Sequence, residues 1–321
     1  MSATPPGGPS PGALAAALPA RSNERLKGVL FLLTGGGVFL FQDLVIKTIS
    51  DRFPLPEALA IRCIVAYLAL AVLIHYDGGF RGILTKHLRL QLLRAVMLFA
   101  SYTCYYLSLA ALPLAEAVAI NFSAPLIIVA LSGPILKEKA GWQRWLAVLV
   151  GFGGVLVMLR PGAGAFDIAA LLPVGAAATY AVAQILARHL GATDRASVMS
   201  FYQNSANFAG ALLLGLAFGS GAFAEAGHPS LQFLLRGWSM PHGIELLMIA
   251  STGLVAAIGS WCLTNAYRLA EVNVVAPFEY SSIVWAVLAG FLVWGEVPDH
   301  YTILGILLVV GAGIYVLRFA R

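Results

Sequence analysis

The chain has 321 residues, 60% of them hydrophobic and only 11% charged, with a formal charge of +5. A soluble domain carries roughly 25% charged residues, so lipid has to cover part of this apolar surface. The positive balance reads as the cytoplasmic-side bias of a membrane protein and not as a nucleic-acid footprint, and the three cysteines lie far apart in apolar stretches without metal-ligand spacing.

Residues 1–25 read as a disordered cytoplasmic tail, because Pro, Gly, Ala and Ser dominate it and few large apolar side chains are available to pack. It does not read as a signal peptide: no basic residue precedes the Ala-rich run, and Pro19 interrupts its end. A helix needs about 20 mostly apolar residues to cross the hydrocarbon. That length predicts ten spans: Leu26–Ile46, Ala58–His75, Leu90–Ala111, Ala115–Leu136, Trp142–Leu159, Ile168–Ala187, Ser197–Phe218, Ile244–Ala266, Val274–Trp294 and Tyr301–Phe319. Pro113 separates the third from the fourth, since proline breaks the helical hydrogen-bond ladder. A short surface helix is expected around Leu231 to Leu235, in the long connection before the eighth span.

With the N-terminus in the cytoplasm, the outer segments hold only Lys47, Arg52, Arg160 and Arg236. Arg62 lies within the membrane, and the remaining fifteen of the 20 Lys and Arg fall on the inner side. Both termini are therefore expected in the cytoplasm. The halves 26–160 and 161–321 echo each other: Glu138, Gly153 and Arg160 fall opposite Glu296, Gly311 and Arg318, Lys47 opposite Arg188, and Arg62 opposite Asn204. An odd number of spans per half inserts the halves in opposite directions. The expected fold is thus an all-α membrane protein with ten transmembrane helices in two inverted five-helix repeats, enclosing a cavity near the midplane.

From Tyr105 the chain reads Tyr-Tyr-Leu-Ser-Leu-Ala-Ala-Leu-Pro-Leu-Ala-Glu-Ala-Val-Ala-Ile, followed by Pro125, Glu138, Gly141-Trp142 and Arg160-Pro161. The second half has Ala276-Pro277-Phe278-Glu279-Tyr280, then Gly295-Glu296 and a Gly-rich last span. This pattern resembles the EamA branch of the drug/metabolite transporter superfamily, from about Leu26 to Phe319. The resemblance implies a ten-helix secondary transporter in a bacterial inner membrane, moving an amino acid, S-adenosylmethionine, a riboflavin-like molecule or a related solute. The Leu112 to Ala117 run is most similar to the branch that takes up S-adenosylmethionine or riboflavin. The second half reads Leu269-Ala270-Glu271-Val272-Asn273, without the proline, so one half alone carries the motif intact.

Ionisable groups inside a bilayer are costly and mark functional positions. Arg62 and Asp43 stand at similar depth. They fit either a fixed ion pair between two helices or, for Arg62, a planar fork that holds a substrate carboxylate or phosphate. Glu279 lies inside the ninth span, where it fits a coupling proton, a cationic group or a helix-to-helix bond. Glu116 begins the fourth span, where an acid complements the helix dipole. Asp43, Glu116 and Glu279 are the coupling or ion-pair candidates. Glu138 and Glu296 end the fourth and ninth spans and are assigned to the scaffold, each accepting from backbone N–H groups that start the next helix. The expected binding set is Arg62, Asn121, Asn204 and Glu279, with walls from Tyr106, Tyr180 and Trp285. Pro125, inside the fourth span, frees a carbonyl one turn back, as at many transport sites.

An enzyme is disfavoured: the six histidines fall at span ends or in loops, and no His-Glu-x-x-His or buried Ser/His pair occurs. No Walker motif points to ATP, and no cofactor or metal is expected. A channel or receptor-like protein remains the alternative, although no selectivity filter is legible. The expected partners are a small-molecule metabolite and the lipid bilayer, with the chain as monomer or homodimer.

Overall fold

A computed structural model describes residues 11–76, 79–80, 83–124, 126–128, 130–131, 142–159, 167–190, 194–225, 227–269 and 280–319. Eleven α-helices stand among the described residues: α1 (Pro11–Ile49), α2 (Leu55–Tyr76), α3 (Leu88–Leu109), α4 (Leu114–Asn121), α5 (Trp142–Leu159), α6 (Leu171–Leu190), α7 (Ala196–Phe218), α8 (Pro229–Leu235), α9 (Ile244–Leu269), α10 (Ser281–Trp294) and α11 (His300–Phe319). By length and composition, Leu26–Ile49, Leu55–Tyr76, Leu88–Leu109, Ile168–Ala187 and Ile244–Leu263 can each cross a membrane. Trp145–Leu159, Ser281–Trp294 and His300–Tyr315 are apolar but shorter. Leu68, Leu216, Leu292 and Leu307 stay exposed on the outside of the bundle, where only lipid can cover them. The molecule is an all-helical, multi-pass membrane protein.

Two expectations shift. The seventh expected span is helical as α7, but Gln203, Asn204, Ser205 and Asn207 keep it out of the strongly apolar class. The fourth is broken by a turn, with helical backbone on both sides of it. Asn121 ends α4, and Phe122 and Ser123 form a turn. A proline at 125 has no N–H to return to the Asn121 carbonyl, so the ladder has to break at this point.

The bundle is built from paired helices: α1 against α9, α3 against α6, α2 against α7, α5 against α11, and α4 against α10. Further contacts join α2 to α9, α3 to α7, α4 to α6 and α1 to α10. Where α5 meets α11, a Cβ on Gly154 would lie 2.9 Å from the Gly305 carbonyl oxygen, and one on Gly305 would lie 2.7 Å from that of Gly154. Only glycine at both positions allows this approach. The main core fills one end of the bundle. It gathers Val45, Ile46 and Ile49 of α1, Leu55 and Leu59 of α2, Leu107 and Leu109 of α3, and Leu114 of α4.

The connection after α7 reinforces that end. Its helix α8 was expected on the surface, yet Phe233 is fully buried and Ser230 Oγ donates to the Leu107 carbonyl at 2.7 Å. Arg236 Nη1 donates to the Ser50 carbonyl at 2.8 Å, and Ser239 N–H donates to Glu57 Oε2 at 3.0 Å. His228 caps α8, accepting from Ser230 N–H, and its Nε2 lies 3.0 Å from Asp167 Oδ1. Burial alone would raise the Asp167 carboxyl, but the Ala169 N–H and His228 outweigh it and hold that carboxyl below its usual range.

A second tie crosses between the halves. Gly295 takes φ +70°, a left-handed conformation that favours glycine, and closes α10 with its N–H on the Phe291 carbonyl. The chain turns so that Glu296 Oε1 meets Lys47 Nζ at 2.8 Å, while its Oε2 accepts from Leu114 N–H at 2.9 Å. Lys47 Nζ also donates to the Leu112 carbonyl at 2.6 Å and lies over the Trp294 ring. Glu296 therefore caps α4 of the first half, and not the helix that follows it in the chain. Glu138 lies outside the described residues.

Glu296→Ala should destabilise the protein by about 1–3 kcal/mol, because Lys47 and the Leu114 N–H both lose a partner. Glu296→Gln keeps an oxygen for the cap and should cost less; the order of melting temperatures checks this. The depressed Asp167 carboxyl stabilises the fold above the ordinary carboxylate pKa, and that contribution fades as pH falls through the lower folded value. Asp167→Asn should therefore flatten the loss of thermal stability between about pH 5 and pH 3.

Candidate functional site

A cavity of about 260 Å³ lies beside the core, where it can receive a solute. Its lining comes from both halves: α1, α3 and α4 on one side, and Tyr180 of α6, Leu263 of α9 and Ser281 and Ser282 of α10 on the other. Helical spacing explains the first set. Gly36, Phe39, Leu40 and Asp43 recur at intervals of three and four, and Ser101, Tyr102, Tyr105 and Tyr106 form one face of α3. The broken end of α4 supplies Asn121, with Phe122 and Ala124 beyond it.

A buried network stands against the wall of the cavity formed by α1 and α3. Arg62, only 4% exposed, donates from Nη1 to the Tyr106 hydroxyl at 3.1 Å. Gln42 Nε2 donates to the same oxygen at 2.7 Å. The guanidinium carbon lies 5.4 Å from the Tyr102 ring centroid and 5.7 Å from that of Tyr106, so the charge is held on aromatic faces. Asp43 Oδ2 accepts from the Tyr105 hydroxyl at 2.9 Å. Among the described residues, four buried side-chain amide oxygens accept no hydrogen bond, and two of the four, Gln42 Oε1 and Asn121 Oδ1, belong to residues at the cavity, although neither oxygen is open to solvent.

Of the residues expected from the sequence, Asn121, Tyr106, Tyr180 and Asp43 meet at this cavity. Arg62 does not line it. Tyr102 and Tyr106 stand against its guanidinium, and no hydrogen bond or ion pair joins it directly to Asp43 among the described residues. Asn204 is not a cavity residue either, because its Nδ2 donates to the Cys63 carbonyl at 3.1 Å and joins α7 to α2. Trp285 is 53% exposed on the outside of α10, as its helical position dictates, and forms no wall. Glu116 lines a separate recess with Glu296, Asp299 and Thr302. Glu279 lies outside the described residues.

Sequence reasoning missed Gln42. A lone glutamine one residue before an acid carries no motif, and only the fold shows that it is 2% exposed and shares Tyr106 with Arg62. It also missed Arg94, counted with the inner loops, which α3 carries into the interior with Nη1 on the Met199 carbonyl at 3.3 Å.

A sequence model of the EamA-like transporter family matches residues 26–160 and again 167–318. The chain belongs to the EamA-like transporter family. The double match shows two EamA units, as duplicated halves would give, and the family consists of membrane transporters, not enzymes. A riboflavin transporter of Vibrio cholerae is 31% identical over 291 residues, covering 89% of this chain and 91% of that one. An S-adenosylmethionine uptake transporter of Rickettsia prowazekii is 24% identical over 292 residues, covering 91% and 92%. A solved crystal structure aligns with TM-score 0.61 over 92% of this chain and 97% of its own, at 19% identity, which shows the shared fold.

Tyr106→Phe removes the oxygen that receives both Arg62 and Gln42. It should cost about 1–3 kcal/mol, seen as a lower melting temperature in detergent, because buried donors are left unpaired. Tyr102→Phe, which keeps the ring under Arg62, should cost less.

Proposed function

We propose that this transporter is a secondary carrier of a small metabolite with a flat heteroaromatic ring, riboflavin-like or S-adenosylmethionine-like, working by alternating access. The cavity carries the reading: aromatic walls from Phe39, Tyr102, Tyr105, Tyr106, Phe122 and Tyr180 surround a few placed polar groups. Such walls stack on a planar ring and place it, while the polar groups orient its edge. The riboflavin and S-adenosylmethionine transporters among its relatives support the same substrate class.

Ten spans in two oppositely inserted halves fit the packing. Exchange α1 with α6, α2 with α7, α3 with α9, α4 with α10 and α5 with α11. The contact of α1 with α9 then becomes that of α6 with α3, α2 with α9 becomes α7 with α3, and α1 with α10 becomes α6 with α4. The pairs α2 with α7, α4 with α10 and α5 with α11 map onto themselves. Such a pattern is what a two-fold relation between halves produces, and rocking one half on the other exposes a shared site to each side. With both termini in the cytoplasm, the sealed end bearing Lys47, Glu296 and α8 is the outer mouth, and the conformer is closed there.

Reconstitution in liposomes tests the proposal. Riboflavin or S-adenosylmethionine uptake should saturate with concentration and accelerate when the same solute is preloaded inside. Flux that rises without saturating would favour the channel reading, and no flux of either solute would overturn the substrate class.

A further inference from the structure

Asp43 lies deep in the bundle, yet it is only half-buried and it lines the cavity. At that depth the surface it keeps is the surface the cavity gives it. Tyr105 donates to Oδ2 at 2.9 Å. Oδ1 receives no hydrogen bond among the described residues, and it is not one of the side-chain atoms sealed off without a partner. The two oxygens of a carboxylate are equivalent, so whichever one Tyr105 takes, the other is left to the open space. Among the described lining residues Asp43 is the one acid, and no Lys, Arg or His accompanies it. Arg62 makes no direct bond to it and stands behind Tyr102 and Tyr106.

A carboxylate that faces a water-poor space without a cation beside it is a place for a cation from outside, because attraction between charges grows as water is excluded. The rings around Asp43 strengthen that preference. Phe39, Tyr105, Phe122 and Tyr180 line the same space, and aromatic faces attract an alkylated cation that has no N–H to give. Resting on the substrate class proposed above, we infer that Asp43 is the counter-ion for a sulfonium centre carried beside the solute's flat ring, so that the cavity prefers an S-adenosylmethionine-like cation to uncharged riboflavin. Riboflavin offers a ring to the walls and no charge to Asp43. A neutral ligand that covers the ionised carboxylate takes its water and returns nothing for it.

The purified full-length chain is titrated by calorimetry with S-adenosylmethionine, with its demethylated thioether and with riboflavin. The thioether keeps the ring, the sugar and the amino-acid end, and lacks only the methyl group and the positive charge on sulfur. The wild-type chain should bind the sulfonium about tenfold or more tightly than the thioether. Asp43→Asn keeps the size of the side chain and an oxygen for Tyr105, and it should bind the two alike. Equal binding of sulfonium and thioether by the wild type, an undiminished preference in Asp43→Asn, or tighter binding of riboflavin than of the sulfonium would overturn the inference. In each of these a proposed solute still binds, so the substrate class stands. The wild-type comparison decides the matter even where the variant does not fold. If neither S-adenosylmethionine nor riboflavin binds, the substrate class itself fails and this inference falls with it.

Discussion

A guanidinium placed inside a hydrocarbon layer has to be enclosed by protein, because no water is there to receive its five N–H groups. In this chain the enclosure is aromatic. Tyr102 and Tyr106 present their faces to Arg62, and the Tyr106 hydroxyl accepts from it. That requirement fixes the side of α3 that faces α2. It brings Gln42 of α1 onto the same hydroxyl and leaves Tyr105 to meet Asp43. Three helices are thus set relative to one another by one charge, and the cavity is the space beside them. The cation stands behind the tyrosines of the cavity wall and is not among the lining residues.

Much of the fold could be read from hydropathy and proline alone. Apolar length located the helices, and Pro125 marked the freed carbonyl one turn back, although the fourth span was expected to run on and α4 instead ends at Asn121, beside the cavity. Both are local properties, fixed by a run of neighbours. Tyr106 and Tyr180 were legible as aromatics within spans, and both line the site.

What could not be read depends on partners distant in the chain. Arg62 had two sequence-based roles, and where its guanidinium stands depended on which way tyrosines 40 and 44 residues away would point. Asn204 was equally able to face a cavity or a neighbouring backbone until α7 met α2. Trp285 is set by the rotation of α10, which its nearly uniform apolar sequence does not reveal. Glu296 serves the helix end of the other half, because the duplication lets an acid in one half satisfy the backbone of its counterpart.

The seam formed by Lys47, Glu296 and the start of α4 has a bearing on how that mouth could part. One carboxylate both neutralises an ammonium and accepts from the first N–H of a helix. Separating these groups within an anhydrous interior would strand all three at once. Separating them where solvent has already entered would strand none. In the proposed alternating-access cycle, unsealing at this end calls for water at these groups, and the two recesses beside the seam, about 210 and 290 Å³, give it room.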